Sequence, residues 1–65
     1  MNTAERDRLA KELDDLRSRF ERLECFLFSD RFYSLSARHQ TLLLAQRFFM
    51  DAYAKILRER LECVQ

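Results

Sequence analysis

The chain has 65 residues and a mass of 7.9 kDa, and it contains no glycine and no proline. A chain of this size is one small domain, whose core rarely supplies more than roughly 3–5 kcal/mol without a disulfide, a metal or a partner. The missing glycines exclude glycine-loop nucleotide sites and argue against tight hairpins and barrels, which need residues at positive φ. Twelve basic against eleven acidic residues give a net charge of +1 with the signs interspersed, so no basic stripe suggests direct nucleic-acid binding. At 48% hydrophobic and 35% charged, the composition suits amphipathic helices rather than disorder.

In chain order, the polar start Met1-Asn2-Thr3-Ala4-Glu5 predicts no secretory signal. Asn2, with Glu5 three residues on, reads as a helix N-cap with its reciprocal acid. Leu9, Leu13, Leu16, Phe20, Leu23 and Leu27 then recur at spacings of 4, 3, 4, 3, 4, an uninterrupted heptad seam. The spacing predicts a helix over about residues 3–28, roughly 39 Å long. Residues 29–36, with Ser29, Ser34 and Ser36, break the seam and predict a connection. Ser36 is the N-cap candidate for a second helix over about 37–63.

Two helices of similar length across a short connection predict an all-α fold, an antiparallel two-helix hairpin forming a single domain over 1–65. The second helix carries too much apolar surface for one neighbour. Leu42, Phe49, Met50, Tyr53, Ile56 and Leu57 share a broad face with other apolar residues, whereas one packed helix covers a narrow stripe. A second copy of the chain is the simplest cover, so a homodimeric four-helix bundle is expected. Its core or dimer contacts are expected at Leu13, Leu16, Phe20, Leu23, Leu42, Phe49, Met50, Tyr53, Ile56 and Leu57. Gln46 and Arg60, polar on that face, read as devices that set register.

Little in the chain suggests chemistry. Cys25 and Cys63 form no CxxC, and the hairpin puts them some 33 Å apart, far beyond disulfide reach. One histidine, His39, and two cysteines do not make a usual zinc site. Neither an oriented third group nor an oxyanion hole stands beside His39. No enzyme activity, no metal and no cofactor are expected. No apolar run is long enough to span a membrane, and the free thiols point to a reducing cytoplasm.

The aromatics are more informative. All eight lie within residues 20–53, so a hairpin gathers them in its turn half. Phe28, Leu44 and Phe48 project away from the seam centres, and Tyr33 lies in the connection. With Arg47 alongside, these residues form the expected partner-binding surface; the alternative is that Phe28, Phe32 and Phe48 close the tip of the core.

The run Leu23-x-x-Phe26-x-x-Ser29-x-x-Phe32-x-x-Leu35, followed by Gln40, Leu42, Leu43, Gln46, Met50, Tyr53, Ile56, Leu57 and Arg60, resembles a family of small bacteriophage helical proteins related to crAss-like phage sequences. The design is similar to that of the quorum-sensing anti-activators of temperate Pseudomonas phages. That similarity implies a dimeric hairpin in the cytoplasm of a bacterial host that binds a LuxR-type transcription factor and blocks its DNA binding. It also implies the pilus-assembly ATPase as a further partner. Alternatives are an anti-defence protein (anti-CRISPR, or one that sequesters a nucleotide signal between subunits) and a small structural adaptor. The nucleotide reading requires cationic residues converging on a pocket, with Arg17, Arg19, Arg22 and Arg38 as candidates.

Overall fold

A computed structural model describes residues 3–64. It contains α1 (Thr3–Leu27), a one-turn helix α2 (Asp30–Tyr33) and α3 (Ala37–Cys63). No strand occurs among the described residues. The N-cap expected at Asn2 lies outside them.

The long helices pack along each other in a rod of 49 × 15 × 12 Å. The α1 seam supplies Leu9, Leu13 and Leu16, and α3 answers with Ala54 and Leu57, flanked by Met50, Leu61 and Val64. On α3 these residues recur at 50, 54, 57, 61 and 64, which is again a heptad stripe. Leu57 is 0% exposed; truncating such a leucine to alanine costs about 2–5 kcal/mol through lost transfer energy and the cavity left behind.

The connection differs from a plain loop. Residues 30–33 form a helical turn that inserts Phe32 beneath the tip, 6% exposed. Serines close this turn without glycine. The Ser29 hydroxyl donates to the Phe26 carbonyl at 2.6 Å and the Ser34 hydroxyl to the Arg31 carbonyl at 2.7 Å. Ser36 takes extended backbone and accepts the His39 amide at 3.1 Å, the N-cap of α3. The Gln40 amide then donates to the Leu35 carbonyl at 2.9 Å. The Ser36 bond satisfies an amide that the start of α3 leaves open, the two other hydroxyls add to carbonyls that already accept the Ser29 and Ser34 amides, and no described residue needs positive φ.

Candidate functional site

A charged stripe on α1, Arg8, Glu12, Asp15 and Arg19, runs one position ahead of the leucine seam at the same 4, 3, 4 spacing. It therefore borders the groove between the two long helices. Across that groove stands Tyr53 of α3, whose hydroxyl donates a hydrogen bond to the Glu12 carboxylate. Together with Lys11 and Leu16 these residues line a cleft of about 340 Å3. That is the small end of the roughly 300–1,000 Å3 range of small-molecule sites.

The charges in the cleft are unevenly engaged. Lys11 pairs with Asp15 at 3.5 Å, and Glu12 holds Tyr53. Arg8 and Arg19 have no ion-pair partner among the described residues, and they bracket the cleft roughly three helical turns apart. Two guanidinium groups outside any ion pair among the described residues are bidentate donors suited to phosphate or carboxylate, and the tyrosine that shares the cleft offers a flat apolar face. The Tyr53 phenol is held above its ordinary value of 10.0, chiefly because it donates to Glu12, with desolvation and the Glu12 charge adding and Arg60 opposing.

Of the arginines considered from sequence, Arg19 lies in this cleft. Arg17 lines a second hollow of about 170 Å3 with Phe20, Glu21, Asp51, Ala54 and Arg58. Arg22 and Arg38 line neither. Sequence reasoning did not bring Arg8 and Glu12 together. Their signal was present in the 8-12-15-19 stripe, which becomes a site only when set beside α3; Lys11 lies off that stripe.

The expected partner-binding residues divide. Phe28 is 85% exposed at the tip, and Tyr33, Leu44 and Phe48 are also exposed. Tyr33 packs edge-on against Phe32 at 5.3 Å, and Phe48 edge-on against Phe49 at 5.5 Å. Arg47 is exposed too, but it is engaged across the hairpin: its guanidinium lies 2.8 Å from Glu24 and 5.4 Å from the Phe20 ring centre.

The residues expected in core or dimer contacts divide as well. Leu13, Leu16 and Leu57 are buried, and Phe20, Leu23 and Met50 are half-buried. Leu42, Phe49, Tyr53 and Ile56 are exposed. The physical reason is that α3 carries two adjacent heptad seams. The one through Met50, Ala54 and Leu57 meets α1; the one through Leu42, Phe49, Tyr53 and Ile56 meets nothing within a single chain. Cys25 and Cys63 are exposed free thiols. Among the described residues no His, Cys, Asp and Glu group is arranged to hold a metal, and no helix is long and apolar enough to cross a membrane.

Comparisons with curated proteins and with solved structures give no match. The family model Sequestin matches residues 3–63, the span of both long helices and the turn between them. The chain belongs to the Sequestin family.

Proposed function

We propose that this protein binds an anionic small molecule of the nucleotide class in the Arg8–Arg19 cleft and withholds it unchanged. The carrying observation is that Arg8 and Arg19, neither in an ion pair among the described residues, line one cleft with Tyr53. The guanidinium groups take phosphate oxygens, and the tyrosine ring takes the base. The family's name points to sequestering, so the reading is capture without turnover. In this reading the protein is a phage product in the host cytoplasm. It works as a homodimer and lowers the free concentration of a signal that defence enzymes require.

A thermal-shift series with cyclic dinucleotides, mononucleotides and inorganic phosphate tests this, because a ligand that binds only the folded state raises the midpoint. A rise of several degrees is expected with one nucleotide class, is lost in Arg19→Glu, and the nucleotide is recovered intact after heating. No rise with any of them overturns the reading. A chemically altered nucleotide replaces capture with catalysis.

The exposed rings of Phe28 and Phe48 favour a second reading, in which the sequestered species is a host regulatory protein. By the phage resemblance this is a LuxR-type transcription factor kept off its DNA, with the pilus-assembly ATPase as a further target. A DNA-binding assay with a purified LuxR-type regulator decides it: restored DNA binding with Phe48→Asp supports a protein target, and no inhibition by the native chain removes it.

A further inference from the structure

Beside the face that meets α1, helix α3 presents a second seam: Leu42, Gln46, Phe49, Tyr53, Ile56 and Arg60, at spacings of 4, 3, 4, 3, 4. All six are exposed on the single chain, Phe49 by 67%. On α1 no large hydrophobic residue is comparably exposed. The rod also exposes more surface than a compact molecule of its mass. It exposes 5221 Å2, against about 4,400 Å2 expected of a compact monomer of its mass. The excess, about 800 Å2, is what each partner buries in a standard interface.

We infer that a second copy of the chain covers this seam with its own α3, running antiparallel about a two-fold axis at Asp51. The inference rests on the homodimer reading and deepens it by naming the faces and their direction. In antiparallel seams each a position meets a d position of the partner. One register satisfies this for every residue of the seam: Phe49 meets Tyr53 of the partner subunit, Leu42 meets Arg60 of the partner subunit, and Ile56 meets Gln46 of the partner subunit. The aromatic pair then fills the centre, and the polar members lie toward the ends, the usual division between an apolar interface core and a wet rim.

Charge selects the direction. A parallel pairing in register stacks Arg60 on its own copy inside the seam, two like charges in contact. The antiparallel pairing holds those arginines about 27 Å apart along the axis. Because Tyr53 belongs to both the seam and the cleft, the second copy borders each cleft, and the dimer holds two symmetry-related sites.

Sedimentation equilibrium of the full chain and its variants is the test. A dimer is expected for the native chain and for Phe28→Asp. The double variant Phe49→Glu, Ile56→Glu is expected to weaken association at least a hundredfold. A dimer that survives the double variant overturns the seam while leaving the homodimer standing. A native monomer overturns both. A second measurement needs no change in the seam's six residues: in Cys25→Ser, spin labels on Cys63 are expected about 36 Å apart within the dimer. Oxidation of that variant to a Cys63–Cys63 bridge within the dimer, or a short label distance, overturns the antiparallel direction.

Discussion

The Arg47 guanidinium lies 2.8 Å from the Glu24 carboxylate, joining α3 to α1 across 23 residues of sequence. The same group covers the Phe20 ring at 5.4 Å, so one side chain caps an apolar residue and pairs with an acid. Both partners keep partial contact with water, which limits the pair to about 1 kcal/mol with the ring contact included. Arg47→Ala is therefore expected to lower unfolding free energy by about 1 kcal/mol in a denaturant titration. Arg47→Lys is expected to recover only part, because an ammonium keeps the charge and loses the planar stacking. An unchanged midpoint in Arg47→Ala would return this residue to the outward-facing role that the sequence suggests.

Phe28 and Phe32 stand four residues apart and have opposite fates. Phe28 follows α1 and projects into solvent, while α2 turns Phe32 into the tip of the core. Phe32→Ala is expected to cost about 3–5 kcal/mol, the range for a buried phenylalanine. Phe28→Ala is expected to stay within about 0.5 kcal/mol, as exposed substitutions do. Paired thermal and chemical denaturation curves check the contrast. Equal losses would mean that the tip packs differently in solution.

These outcomes separate what the sequence carries from what it does not. The leucine seam and the Ser36 cap are local signals, repeated at helical spacing or held within four residues, and both are readable without a structure. The burial of Phe32 is not a signal of that kind: it sits in the connection, outside both helical repeats, and is nonetheless 6% exposed. The second seam of α3 is written in the sequence as excess apolar width, but the half that meets α1 depends on how the hairpin rotates about its axes. Phe49 and Tyr53 read as seam residues, and they lie on the seam that a single chain leaves uncovered. The cleft is harder still. Arg8 and Glu12 read as solvated charges on α1 until Tyr53 arrives from a position 41 residues beyond Glu12.

Ser36 supports a small, clean prediction. Its side chain accepts the His39 amide at 3.1 Å at the start of α3, an exposed bond whose loss disturbs little else. Ser36→Ala is expected to cost about 1 kcal/mol, and Ser36→Asp to restore most of it, since a carboxylate also caps and favours the positive end of the helix dipole. Denaturation midpoints of the three chains check the order. If Ser36→Asp were no better than Ser36→Ala, the loss would come from the side chain's volume and not from its acceptor.

Tyr53 gives the fold a dependence on pH whose sign follows from its bond. Only the neutral phenol donates to Glu12; the phenolate loses the bond and faces a like charge. The folded state therefore binds the proton more tightly than the unfolded chain, whose tyrosine titrates near 10.0. A group raised in this way contributes its stability fully below the unfolded value and loses it as pH rises through the folded one. The chain has two tyrosines, so Tyr33→Phe leaves Tyr53 as the sole phenol. Its phenolate absorbance is expected to titrate with a midpoint above 10.0, and Glu12→Gln is expected to bring that midpoint down, because the carboxylate is the main cause of the shift. A nucleotide phosphate seated between Arg8 and Arg19 adds negative charge beside the same phenol, so bound ligand is expected to move the midpoint further upward. A ligand that binds without moving it lies elsewhere on the molecule, which makes this titration a direct locator for the proposed site.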